Sequence, residues 1–279
     1  MERQKSTANR PAVITSLSMA LMLLVFITGC DQWIGSSSDE TGTMEVILHD
    51  NPGPYEELWV DVQRVEVNNQ EDEGSGWVVI NEPQQRYNLL ELVNGAQEVL
   101  GEAELEEGMY RQIRLILGDD NELVVDGESY SLQTPSAQQT GLKLNIDAQI
   151  TSGITYTLYL DFDASRSIVQ KGNAQGSDPY LLKPVIRAYT QAETGIISGA
   201  VDPADADPWI YAIAGEDTVA STRGEENTGE FKLLGLQEDV YTVSIEPVVE
   251  EFDAVVIENV EVIAGEETDL GTIELDSDE

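Results

Sequence analysis

The sequence predicts a mainly β protein, with two β-sandwich-like domains in tandem after a lipoprotein signal peptide. Three observations carry that expectation. Short runs in which apolar and polar residues alternate recur along the chain, as in Tyr156-Thr157-Leu158-Tyr159-Leu160-Asp161-Phe162-Asp163, and a period of two marks a half-buried strand. Turn-forming clusters such as Asp50-Asn51-Pro52-Gly53-Pro54, Asn94-Gly95 and Asp126-Gly127 separate the runs. Beyond residue 29 no long stretch carries apolar residues at helical spacing.

The N-terminal segment reads as an address. Arg3, Lys5 and Arg10 precede an apolar run from about Ala12 to Ile27, and Ile27-Thr28-Gly29-Cys30 then has the form of a lipobox. Residues 1–29 are therefore expected to be a signal peptide, with Cys30 as the lipid-attachment residue. A transmembrane helix is the competing interpretation, but the run falls short of the roughly 20 apolar residues that a span needs. Cys30 is also the only cysteine, so an internal disulfide is excluded. Acyl chains contribute about 0.8 kcal/mol per buried CH₂, and several of them hold a protein at a membrane without a spanning helix. The expected location is the cell envelope, on the outer side of the cytoplasmic membrane or on the outer membrane. Asp31 resembles the inner-membrane retention signal of enterobacteria, which other phyla do not follow, and the choice of membrane stays open. Residues 30–42, polar and with Ser36, Ser37 and Ser38 in a row, form the expected lipidated tether.

The first β-rich domain is expected over residues 43–190. It opens with Met44 to Leu48 and the turn at Asp50 to Pro54, followed by Leu58 to Val67, where the alternation slips at Arg64 and predicts a β-bulge. Trp77 to Ile80 resumes as strand after an acidic loop. Tyr87 to Leu92 is leucine-dense without alternation and reads as one helical turn stopped by Asn94-Gly95. Tyr110 to Leu117 follows, with Ile113, Leu115 and Leu117 on one face, then Leu123 to Leu132 with a hairpin at Asp126-Gly127. Strands at Leu142 to Ile146, Thr155 to Asp163 and Tyr180 to Tyr189 complete it. After a linker at 191–194, the second domain, 195–279, offers strands at Gly195 to Val201, Trp209 to Ala214, Gly229 to Leu233, Tyr241 to Ile245, Ile257 to Ile263 and Thr272 to Leu275. The stretch after Ala214 reads as a glycine-containing loop.

Two resemblances follow from these residues. Gly108-Met109-Tyr110-Arg111-Gln112-Ile113-Arg114-Leu115, Gly141-Leu142-Lys143-Leu144, Leu160-Asp161-Phe162-Asp163 and Leu182-Lys183-Pro184-Val185-Ile186-Arg187 resemble, in order and spacing, the lipoprotein domain of unknown function numbered 4382. Where that family commonly has Thr-Asp-Ala-Pro after the first strand, this chain has His49-Asp50-Asn51-Pro52. The resemblance implies no catalytic residues. Phe231, Leu236 and Tyr241, with Val260 and Val262 before Gly265 and then Leu270 and Ile273, resemble a carboxypeptidase-regulatory-like, transthyretin-type sandwich of about seven strands. Asp239 stands where that family usually has a turn glycine. Such modules are typically accessory, used for spacing, stability or binding.

The charge is extreme. The chain has 14 Lys and Arg against 53 Asp and Glu, a formal net charge of −39, and loss of residues 1–29 removes Arg3, Lys5, Arg10 and Glu2, which takes it to −41. Most carboxylates must therefore face water and repel one another. Salt relieves that repulsion, since the Debye length falls from about 10 Å at 0.1 M to about 3 Å at 1 M. A saline habitat is the leading explanation, and a surface that gathers divalent cations is its rival. Nucleic acid is a poor partner for such a chain, because its affinity rests on Lys and Arg neutralising phosphates.

Candidate chemistry is sparse. His49 is the only histidine and no Gly-x-Ser-x-Gly elbow occurs, which disfavours a Ser-His-Asp triad, and zinc wants several Cys and His. No catalytic residue and no required cofactor are expected. Calcium is the possible exception: Asp161 and Asp163 share a strand face, and Asp202, Asp205 and Asp207 crowd one loop, although no EF-hand pattern is present. Asp161 and Asp163 could instead form the carboxylate pair of a glycoside hydrolase. Trp59, Trp77, Trp209 and Tyr159 are candidates for stacking on sugars but are also natural packing residues. Lys143, Lys183 and Arg187 are expected in structural ion pairs. The function the sequence favours is a non-catalytic, membrane-anchored binding or scaffolding module for an envelope polysaccharide or protein. A calcium-dependent adhesion protein and a carboxylate-based hydrolase are the alternatives.

Overall fold

Two sheets pack face to face in each half of the chain. The computed structural model describes residues 40–69, 76–134, 141–171 and 179–277, so Cys30 and the serine run lie outside the described residues. In the first half, one sheet takes β1 (Thr41–Asn51), β5 (Glu98–Glu106), β10 (Thr155–Asp163) and β13 (Ile186–Tyr189) in the order β13-β10-β1-β5. The facing sheet is organised around β2 (Glu57–Asn68). Along one side, β2 pairs with β6 (Gly108–Leu117) and β7 (Asn121–Val125); along the other it pairs with β3 (Trp77–Asn81) and β4 (Gln85–Asn88). β8 (Glu128–Leu132) pairs with β7 and β9 (Leu142–Ile150) with β6, and a small pair, β11 (Ile168–Gln170) with β12 (Tyr180–Leu182), stands apart.

The predicted slip in β2 is present. Its register with β6 shifts between Val62 and Arg64, and this bulge keeps Leu58, Val60, Val62, Val65 and Val67 all buried. Asp126 and Gly127 both adopt positive φ, the backbone of a tight hairpin, and join β7 to β8 as expected. Ile113, Leu115 and Leu117 lie in the core, which Leu100, Leu158, Leu160 and Phe162 meet from the opposite sheet.

In the second half, β14 (Gly195–Asp202), β17 (Glu230–Leu236) and β20 (Glu267–Glu274) form a three-stranded sheet in the order β17-β14-β20. β15 (Trp209–Ala214), β16 (Asp217–Arg223), β18 (Asp239–Glu246) and β19 (Val255–Val262) form a four-stranded one in the order β16-β15-β18-β19. Ile197, Ile210, Phe231, Val243 and Ile245 fill the space between them. The two hydrophobic clusters share no residue, yet residues 38–279 fall in one compact unit. No helix among the described residues is long and apolar enough to cross a membrane.

Several expectations need correction. β1 begins at Thr41 and runs on through Asp50 and Asn51, so the turn starts only at Pro52. Residues 98–106, given no element above, form β5. The stretch expected as a loop after Ala214 contains β16. Only Leu89–Glu91 is helical in the leucine-rich stretch, because Gln85–Asn88 pairs with β2. Tyr180 to Tyr189 is not one strand: Pro184, which has no amide hydrogen to donate to a ladder, lies in the break between β12 and β13. The expected linker forms a short 3₁₀ turn, Gln191–Glu193.

Leu115 is 0% exposed at the centre of the first core and Val256 is 57% exposed. Leu115→Ala should lower stability by about 2–5 kcal/mol, while Val256→Ala should stay within about 0.5 kcal/mol of wild type. Urea denaturation of both variants checks this.

Candidate functional site

Sheet register assembles a buried polar site. β1 and β10 pair in parallel with His49 opposite Asp161, and β10 and β13 pair antiparallel with Asp161 opposite Arg187. Three residues far apart in sequence thus stand in one row on the outer face of the sheet. Tyr159 and Tyr189 form the adjacent row, their rings stacked 5.3 Å apart at 13°. The Arg187 guanidinium donates to Asp161 Oδ2 at 2.6 Å, and the Tyr189 hydroxyl lies 2.7 Å from His49 Nε2. His49 Nδ1 is 3.8 Å from Asp161 Oδ1, which has no hydrogen-bond partner.

The second sandwich seals this row. Ser221 of β16 donates to Asn51 Oδ1 from both its backbone N–H and its hydroxyl. Asn94 clasps β17: its side-chain amide donates to Glu230 O at 2.8 Å, and its Oδ1 accepts from Lys232 N at 2.6 Å. Gly235 adopts φ +67°, and a Cβ there would fall 2.7 Å from the Tyr189 ring, so only glycine lets β17 approach so closely. A cavity of about 10 Å³ remains, lined by residues that include His49, Asp161, Asn94, Ser221 and Thr222, room for about one water.

Burial sets the electrostatics. His49 is 4% exposed; desolvation lowers its pKa below the usual 6.5, opposed by Asp161 and assisted by Arg187. Desolvation, with a further push from Asp161, raises the Tyr189 phenol. Asp50 pairs in register with the core residue Phe162, and its carboxyl is buried with Oδ1 accepting from Ala164 N at 3.0 Å. Burial first, and then the charge of Asp161, holds it well above the ordinary carboxylate range.

The other candidates are committed locally. Asp163 caps the helical turn α1 (Ala164–Ser167), accepting from Arg166 N at 2.9 Å and from the Ser165 hydroxyl at 2.6 Å. Asp202 and Asp205 are exposed, and Asp207, in the left-handed region, pairs with Arg223. Among the described residues no group of three or more His, Cys, Asp or Glu side chains is arranged to hold a metal ion. Trp59 lies under the Arg86 guanidinium and donates to Glu57 at 2.6 Å. Trp77 carries Arg114 at 4.1 Å and Lys143 at 5.9 Å over its ring, and Trp209 lies parallel to Tyr211 with Arg223 over it. Lys183 is exposed. Sequence reading places Asp50 and Asn51 in a turn and does not single out Tyr189, Ser221 or Thr222. The available signal was the run His49-Asp50-Asn51, three polar residues closing an otherwise apolar strand.

A family described as a domain of unknown function (DUF4382) matches residues 41–184. No curated protein matches the chain. Three solved structures show its structural likenesses. A type II cohesin–X-dockerin complex from Acetivibrio cellulolyticus is 20% identical over 30% of this chain and 58% of that one, with a TM-score of 0.24. The TIE protein of Bacillus anthracis is 13% identical over 85% and 34%, TM-score 0.22. The minor pilin of Streptococcus agalactiae is 9% identical over 85% and 97%, TM-score 0.23. The chain thus spans less than two thirds of the first two.

Arg187→Gln leaves the Asp161 carboxylate buried without its charge partner. Breaking a buried pair costs about 3–5 kcal/mol; with the Arg187 side chain 38% exposed, a loss of about 2–3 kcal/mol is expected. Adding Asp161→Asn to that variant should restore part of it in a double-mutant cycle by denaturation.

Proposed function

The chain belongs to the DUF4382 family, and from that premise we propose that it is an exported lipoprotein, anchored through Cys30, that serves as a non-catalytic binding or scaffolding module of the cell envelope. The observation that carries the scaffolding part is the sealed polar junction. Hydrogen bonds that Asn51 accepts from Ser221, and that Asn94 makes with β17, tie the two sandwiches together, which suits an element that holds a partner at a set distance from a membrane. The anchor rests on the lipobox and its preceding cationic and apolar regions.

The non-catalytic part is supported by the fate of the ionisable groups. His49 is sealed from solutes, Asp161 is tied to Arg187, and Asp163 caps a turn. The seven strands of the second sandwich, in sheets of three and four, support its assignment as a carboxypeptidase-regulatory-like accessory module. The partner is an envelope polysaccharide or protein. The acidity acts as a solvation device in saline surroundings: carboxylates in water stay repelled from one another only weakly at high ionic strength.

Cys30→Ala should move the protein from the membrane fraction to the soluble exported fraction, with wild type remaining membrane-bound on immunoblots of fractionated cells. Retention of the variant in the membrane would remove the anchor from this reading. Pull-down of isolated envelope polysaccharide against envelope proteins by the full chain then separates the two partner classes.

A further inference from the structure

We propose that the junction between the two sandwiches is a proton-operated latch, which opens under mild acid when His49 is protonated while both sandwiches stay folded. The inference goes beyond the scaffolding reading and holds whichever partner the protein binds.

The geometry has two parts. First, the hydrophobic clusters of the two sandwiches are separate, so no shared apolar core holds the halves together. The hydrogen bonds across the junction run from Ser221 to Asn51 and between Asn94 and Glu230 and Lys232, and beside them Gly235 passes close over the Tyr189 ring. Such contacts exchange readily for water, whereas each core must unfold to be wetted. Second, the only histidine lies at that seam with little space around it, in a cavity of about 10 Å³.

The charged and titratable groups facing the imidazole come from every element packed on it. β10 supplies Asp161, whose Oδ2 is already engaged by Arg187. β13 supplies Arg187 and Tyr189, and β17 supplies Lys232, whose ammonium is 3.2 Å from Glu267. β1 itself supplies Asp50, on the core side of the sheet. From β16 and the 92–95 loop come Ser221, Thr222, Leu92 and Asn94, none of them ionisable near neutrality. An imidazolium at His49 would therefore meet one carboxylate that a guanidinium already neutralises, in a cavity with room for about one water. Lifting the second sandwich off the row hydrates the ring without disturbing either core.

The sign follows from linkage. Burial lowers the folded His49 pKa below 6.5, so the closed junction holds fewer protons than the open one as pH falls through that value, and closure weakens toward acid. With an open state that titrates at the ordinary 6.5, the ratio of open to closed rises by up to roughly 25-fold between pH 7 and pH 5.

Hydrogen exchange of the full chain at both pH values, corrected for intrinsic rates, tests this. Amides of Ser221 and Lys232 should lose up to roughly 25-fold protection at pH 5 while those of β6 and β18 hold theirs. His49→Gln should remove the pH response at the junction, with His49→Asn as the second variant should the first not fold. Loss of junction and core protection together in wild type would overturn the latch. So would an unchanged junction at pH 5, or the same response in a folded His49 variant.

Discussion

The charge pair between Asp161 and Arg187 is the interaction on which the junction depends. Asp161 is buried on the outer face of β10, and its neighbours across the sheet are fixed by register as His49 and Arg187. The guanidinium satisfies one carboxylate oxygen and also lies 5.6 Å from the centroid of the Tyr189 ring, whose hydroxyl meets His49. A surface pair of this kind contributes little, but a desolvated carboxylate without a partner is strongly destabilising, so the pair acts mainly by preventing that loss. The second sandwich then needs only small residues, Ser221 and Gly235, to approach the row.

Acidity constrains the rest of the molecule in a complementary way. Carboxylates that cannot be paired are placed where they also guard the sheets. β5, at the edge of the first sheet, exposes Glu98, Glu102, Glu104 and Glu106, and β19, at the edge of the four-stranded sheet, exposes Glu258 and Glu261. Unpaired strand edges invite other chains, and a row of like charges discourages them. One solvation requirement therefore also discourages edge-to-edge association of the sheets.

That arrangement explains what was legible in the sequence. Strands with one apolar face, β6 and β10, announce themselves through strict alternation, and the bulge in β2 appears as a slip of phase. β5 was missed because its outward positions are nearly all glutamate and its run includes Gly101, a pattern that resembles a solvated loop. β16 was missed because the junction demands Ala220, Ser221 and Thr222, small residues with no hydrophobic signal. His49, Asp161 and Arg187 each stand out in the sequence, but the meeting of His49 with the other two depends on a parallel register between strands more than a hundred residues apart. No local pattern encodes that pairing.

The parallel pairing of β14 with β20 has a mechanical consequence. These are the first and last strands of the second sandwich, joined side by side from Ile196 and Glu267 to Asp202 and Glu274. A pull on this sandwich through Gly195 and Glu274 draws the two strands along each other in opposite directions, so their hydrogen bonds bear the load together and none peels away first. β1 and β10 are also parallel in the other half, but there the chain leaves through β13, which runs antiparallel to β10. Tension on the second sandwich therefore meets a shear-loaded seam, and its resistance to extension is set by the strength of a whole ladder of bonds, independently of how stable its core is against heat or urea.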